Sequence, residues 1–197
     1  MKFNATLLKD YTIIPFKGIY LKYAKNKEDV ATNIYPVPNL ANPFLGVHFT
    51  KTVDGSIKIG PTAIPAFWRE NYSGFKNFNL FEVLQVLYHE SRLFIYNAFN
   101  FRDLAFQEMK KYRKNNFIGL SAYMVKALDQ GGFGDFLKPG IRAQLMNKRT
   151  MELLQDFVIE GDRNSLHVLN AVSPAFTCSI AFARFVVDQI MEKRKAS

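Results

Sequence analysis

The segment Ser165-Leu166-His167-Val168-Leu169-Asn170-Ala171-Val172-Ser173-Pro174-Ala175-Phe176-Thr177-Cys178-Ser179-Ile180-Ala181 holds the densest run of residues suited to chemistry. It reads as a buried strand, a tight turn of small residues, and a helix opened by Ser173 at the cap and Pro174 at the first helical position. Backbone N–H groups left free at such a helix start attract an anion or the electron-rich edge of a heterocycle. The small side chains of Ala171, Ser173 and Ala175 would let a flat ligand approach the main chain. The same residues also describe an ordinary strand-to-helix connection, and physics alone favours that plainer reading.

Other chemistry-bearing types are sparse. Gly131-Gly132-Phe133-Gly134 has the glycine content of a phosphate loop. It follows a helical pattern rather than a strand and lacks a trailing Lys-Ser/Thr, so it reads as a flexible connection. The single cysteine, Cys178, excludes an intramolecular disulfide and a multi-cysteine metal site, which suits a reducing, cytoplasmic setting. No metal site is expected. Of the three histidines, His48 falls in a strand, where an imidazole can titrate near neutrality, although such a residue is more often structural. His89, beside Glu90 in a helical pattern, reads as a surface residue, and His167 as a structural residue of a core strand.

The elements that would position these residues fall in three zones. Thr12–Phe16, Ile19–Tyr23, Val30–Val37, Phe44–Thr50 and Ser56–Ile59 read as extended, with Asp54-Gly55 a strong hairpin signal between the last two. Leu80, Val83, Leu84, Leu87 and Tyr88 recur at helical spacing behind Asn79, a suitable N-cap. Further helices are expected over Asp103–Tyr112 and Leu120–Leu128. Strands return at Ile141–Met146, Asp156–Glu160 and Leu166–Ala171, followed by a helix from Ala175 to about Met191. This order predicts an α+β fold, with an antiparallel sheet over 12–65 and inserted helices over 79–130.

The 197 residues suffice for a substantial core, with 48% hydrophobic and 22% charged. The 19 Phe and 9 Tyr are chiefly core material, though flat aromatic surfaces also suit an apolar cofactor or a partner. A net charge of +9 raises nucleic acid as a partner. The basic residues are scattered, however, apart from Lys110–Lys114 and the Lys193-Arg194-Lys195 tail, and no nucleic-acid motif accompanies them, so none is expected. Attraction to small anionic metabolites or to a membrane surface, as a peripheral protein, is equally compatible with the charge. No apolar run follows Met1 as a signal peptide requires, and none is long enough to span a bilayer.

Several blocks in order resemble the L-2-hydroxyglutarate dehydrogenase/oxidase family of D-amino-acid-oxidase-like flavoproteins. They are Pro15-Phe16-Lys17-Gly18, Ile34-Tyr35-Pro36-Val37-Pro38, Pro43-Phe44-Leu45-Gly46-Val47-His48-Phe49-Thr50, Asp54-Gly55-Ser56, Gly60-Pro61, Gly140-Ile141-Arg142-Ala143-Gln144, Asp156-Phe157 and the Leu166–Ala175 stretch. The resemblance covers nearly the whole chain and is weakest in the helical middle. It implies a substrate-binding domain over 1–139 and, over 140–197, the last strands and C-terminal helix of a truncated FAD-binding domain. It also implies oxidation of a 2-hydroxy acid by hydride transfer to flavin. On that footing His48 is the candidate base, Lys17 the carboxylate anchor, Tyr20 and Thr50 hydrogen-bond donors, and Arg142 either a substrate anchor or a brace for the sheet. Ala171, Ser173, Pro174 and Ala175 are the candidate FAD contacts.

The departures from the family pattern are specific. Lys17 replaces an arginine and loses its planar fork. Ile19 stands where an acidic residue is usual, and Phe176 and Cys178 replace small residues on the flavin-facing helix. No Gly-x-Gly-x-x-Gly follows a strand, so the turn that would hold the FAD pyrophosphate is absent from this sequence and tight FAD binding by this chain alone is not expected. Three readings follow. The chain is part of a split enzyme completed by a separate FAD-binding chain, or a catalytically silent relative, or a flavin-independent binder or enzyme for a small anionic metabolite. Without the FAD-binding half, apolar strand edges and the face of the last helix should be exposed, so the solitary chain is expected to form a homo-oligomer or recruit a partner, which discriminates the first two readings.

Overall fold

A computed structural model describes residues 9–26, 28–37, 42–126, 128–162, 164–172 and 176–195. They fall in two compact units, Ile14–Ala143 and Met1–Ile13 with Gln144–Ser197. The elements are mixed helix and antiparallel sheet, an α+β fold.

In the larger unit, strands β1 (Tyr11–Gly18, which begins in the other unit), β2 (Leu21–Tyr23), β3 (His48–Lys51), β4 (Ile57–Gly60) and β5 (Ile64–Pro65) precede the helices. The β3–β4 hairpin forms at the Asp-Gly signal. Gly55 takes φ 79°, and Asp54 accepts hydrogen bonds from the Thr52 and Ser56 hydroxyls and the Ser56 N–H. These donors hold the Asp54 carboxyl well below the usual carboxylate range. With β6 (Phe133–Phe136), the sheet runs β3-β4-β2-β6.

Period-two alternation divides that sheet. Leu21, Tyr23, Phe49, Ile57 and Ile59 pack with Val30, Val47, Phe117, Ile118, Leu128 and Phe133 in one core cluster. The intervening His48, Thr50, Lys58 and Lys22 belong to the opposite face, in a register that pairs Thr50 and Lys22 each with Lys58. The expected strand over Val30–Val37 is instead irregular. It contributes one bridge, Ile34 to Phe49, that places Ile34 on the core side and Tyr35 on the polar side.

Helix α1 (Leu80–Tyr96) starts at Asn79, whose Oδ1 accepts the Glu82 N–H at 3.2 Å, and ends at Asn97 in the left-handed region. It buries Val86, His89 and Leu93, so His89 is an interior residue rather than the surface one expected. Beside it, Oε1 of Glu90 is buried with no hydrogen-bond partner among the described residues. Leu80, Leu84, Leu87, Tyr88 and Ile95 are exposed. Helix α2 (Phe101–Lys110) places Glu108 under β5, and α3 (Lys114–Ala122) delivers Phe117 and Ile118 to the core. Helix α3 starts six residues before its predicted position. Arg113 supplies no side-chain cap, and the chain turns after Ala122, so Leu128 reaches the core from beyond the helix.

The smaller unit contains the end of β7 (Gly140–Asn147), the antiparallel pair β8 (Val158–Gly161) and β9 (Leu166–Asn170), and α4 (Ser179–Lys195). Asp162 closes the β8–β9 turn by accepting the Asn164 and Ser165 N–H groups. His167 is exposed, with Nε2 3.1 Å from the Ser165 hydroxyl, and is not the core residue expected. Phe157 stacks on Phe182 at 4.1 Å. No residue of α4 is buried, and Ile180, Phe185, Val187 and Met191 are exposed.

Candidate functional site

In the larger unit a cavity of about 240 Å³ opens beside Gly18, Tyr20, Phe44, Pro61, Thr62 and Arg142. Its charge comes from Arg142, on β7. The guanidinium is half-buried, lies 5.4 Å from the centre of the Phe44 ring, and has no carboxylate partner among the described residues. Burial lowers its pKa, yet a guanidinium keeps its charge in any protein environment. A charge held this way, with five donors and no carboxylate beside it among the described residues, is poised for an anion.

Tyr20 borders the same cavity, and burial raises its phenol pKa. The ring packs on Gly60, where an added Cβ would collide with it, and Lys58 Nζ lies over its face, 4.6 Å from its centre. Thr62 is committed to the main chain: its hydroxyl donates to the Lys17 carbonyl (2.8 Å) and accepts the Ile19 N–H (3.0 Å).

His48 opens β3 and is 7% exposed, with its ring 4.5 Å from that of Tyr35. Its Nδ1 lies 3.0 Å from the Gly46 carbonyl, an acceptor only, so Nδ1 carries the hydrogen and Nε2 is left as the basic atom. Burial lowers the pKa below 6.5, and the positive charge of Lys58 adds to this, outweighing the Gly46 bond. His48 is therefore neutral at pH 7, the state a base requires.

The structure thus gathers the predicted residues unevenly. Tyr20 and Arg142 share the cavity, and His48 and Thr50 share the polar sheet face. Lys17, on β1, is partly exposed with a pKa lowered by burial, and is not among the residues that line the cavity. Ala171 is exposed just past β9, while Ser173, Pro174 and Ala175 lie outside the described residues. Sequence reasoning missed Tyr35 and Lys58. Counting outward from the Asp54-Gly55 turn would have found Lys58, because that count places it opposite Thr50.

Among the described residues no group of three His, Cys, Asp or Glu could hold a metal. The glycine-rich Gly131–Gly134 stretch is not a phosphate cradle. Gly131 and Gly132 form a short 3₁₀ turn capped by Asp129, and a Cβ on Gly132 would collide with the Tyr23 ring, so that turn is filled by protein.

No family model matches the chain. It is 36% identical over 193 residues to the mitochondrial L-2-hydroxyglutarate dehydrogenase of Homo sapiens, covering 93% of this chain and 40% of that protein. The chain is homologous to L-2-hydroxyglutarate dehydrogenase. Another relative so named, from Indibacter alkaliphilus, is 35% identical over 188 residues, covering 93% of the chain and 45% of the relative. The mitochondrial L-2-hydroxyglutarate dehydrogenase of Dictyostelium discoideum is 34% identical over 185 residues, covering 90% and 40%. The chain spans less than half the length of each of these L-2-hydroxyglutarate dehydrogenases, the share expected of a C-terminal half. No helix among the described residues is long and apolar enough to cross a membrane.

Proposed function

We propose that this chain is the substrate-binding portion of an FAD-dependent oxidoreductase that acts on a 2-hydroxy acid and works when a separate FAD-binding portion completes it. The carrying observation is the half-buried guanidinium of Arg142 beside Tyr20, with no carboxylate partner among the described residues. The relatives' name supplies the substrate class, a dicarboxylate bearing one hydroxyl. Flavin, held elsewhere, is the hydride acceptor of such a reaction; the glycine-rich Gly131–Gly134 stretch offers its nucleotide no phosphate cradle. Arg142 pairs with a substrate carboxylate, and the Tyr20 hydroxyl donates to it or to the substrate hydroxyl. His48, on β3 and outside the residues that line the cavity, would receive the hydroxyl proton at Nε2. Lys58 and Lys22 keep the sheet face positive for a dianion. With Lys17 outside the cavity, Arg142 carries the carboxylate recognition that the family resemblance assigned to Lys17.

The decisive experiment co-expresses this chain with the FAD-binding portion of a relative and follows dye reduction by L-2-hydroxyglutarate. Activity that needs both chains, and that falls about a hundredfold or more in His48→Gln, is the expected result. Equal rates for wild type, His48→Gln and Arg142→Met would refute the assignment.

A second reading rests on the cavity being complete within this one unit. The chain alone would then bind a small dicarboxylate without flavin. Calorimetry of the isolated chain with L-2-hydroxyglutarate separates the two, since saturable binding with no activity after reconstitution supports the binder.

A further inference from the structure

A second, larger cavity of about 650 Å³ lies on the other side of Phe44, walled by Pro36 and Val47 and by α2 and α3 through Lys111, Gly119, Leu120 and Tyr123. Its volume falls in the range of small-molecule sites, and apolar walls with a few convergent polar groups are their usual lining. Its polar lining comprises Asn42, Gln107, Lys110 and Asn116 together with a buried ion pair, Glu108–Lys111. Glu108 is 2% exposed and Lys111 8%. One Glu108 oxygen accepts the Ala63 N–H at 2.6 Å, which ties it to the segment just before β5, and the other accepts the Lys111 ammonium. An ammonium has three donors, and among the described residues Glu108 engages only one of them.

Gly119 gives independent support. It sits inside α3, where glycine lowers helix stability relative to alanine. A Cβ built there meets no atom within 4 Å, so packing does not demand glycine at this position. Gly119 and Lys111 line the same cavity, and the lack of a side chain at Gly119 leaves that stretch of wall open.

We infer that this cavity binds an amphipathic carboxylate, its head group on Lys111 and its apolar body along Val47 and Leu120. The headgroup site is distinct from Arg142, and the inference stands whether or not the chain completes a flavoenzyme. A buried ammonium already paired to Glu108 tolerates one carboxylate because Lys110 also borders the cavity and keeps the local charge positive. Apolar walls much larger than a carboxylate exclude a small polar anion as the preferred occupant.

The test titrates decanoate into the methyl-labelled chain, with the affinity read by calorimetry and the position by NMR. Saturable binding with shifts at the Val47 and Leu120 methyls is expected. Gly119→Phe, which fills open space on a solvent-accessible helix, should weaken decanoate by about tenfold or more, while Gly119→Ala retains it. The double variant Glu108→Gln/Lys111→Met removes both charges together, leaves no lone buried ion, and should cost a similar factor. The inference fails if decanoate does not bind wild type, if Gly119→Phe binds as tightly as wild type, or if the shifts gather on Ile180 and Val187 of α4.

Discussion

Glu90 offers a stability test whose sign and size follow from its surroundings. Its carboxyl is buried against the packed side of α1 with Oε1 unpartnered, and this burial raises its pKa from 4.5 to about 8. The folded chain therefore keeps a proton that the unfolded chain loses above pH 4.5. Where the unfolded state binds fewer protons, stability falls as pH rises, by about 1.4 kcal/mol per pH unit. The loss begins near pH 4.5, accumulates to roughly 3–5 kcal/mol, and levels off above pH 8 once both states are ionised. That is a large share of the ~5–15 kcal/mol that holds a typical domain together. Glu90→Gln keeps the shape and removes the titration. At pH 5 it should unfold within about 1 kcal/mol of wild type, and at pH 9 it should be more stable by roughly 3–5 kcal/mol. Urea melts followed by fluorescence of the single tryptophan, Trp68, report on the same unit, because Trp68 is 4% exposed within it. Parallel stabilities for the two proteins from pH 5 to pH 9 would show that Glu90 is solvated or partnered in solution, and the reasoning would fall.

Arg142→Met should leave the melting temperature unchanged or raised, because it removes a half-buried charge with no ion-pair partner among the described residues. It should also weaken L-2-hydroxyglutarate binding about tenfold or more by calorimetry. Gly60→Ala should destabilise by about 1–3 kcal/mol, since the new methyl enters the Tyr20 ring. In a double-mutant cycle with Tyr20→Ala the steric share of that loss should be recovered and the share due to the φ of 154° at Gly60 should remain, whereas simple additivity would show that the ring is not an obstacle. Glu108→Ala should cost about 3–5 kcal/mol in denaturant melts, because it strands the Lys111 ammonium and frees the Ala63 N–H. A cost below about 1 kcal/mol would place Lys111 in water.

Local chemistry was legible in the sequence wherever one residue dictates one geometry. Asp54-Gly55 fixed a turn, Asn79 a helix start, and the Leu80–Tyr88 spacing a helix. Reading failed where tertiary packing chose between options. Helix α3 has no capping side chain, so nothing local marked its start, and Phe117 and Ile118 set its position by entering the core. Val30–Val37 has strand composition but meets β3 only at Ile34. His89 and His167 exchanged their expected environments because burial depends on which helix or strand face meets a neighbour, and no histidine declares that. At the candidate site, the residue types were visible and their grouping was not. Arg142 and Tyr20 lie over a hundred residues apart along the chain, and only the folded unit sets them at one cavity.

The two-sided sheet β3-β4-β2 has an evolutionary corollary. Phe49, Ile57, Ile59 and Leu21 are constrained by the volume they fill, so exchanges there are penalised whatever the chain binds. Thr50, Lys58 and Lys22 alternate with them on the same strands and lie outside that core cluster. Mutations at these three positions can therefore explore new ligand chemistry at little cost to folding. A lineage could drift from one acidic substrate to another through such residues alone, its scaffold inherited intact.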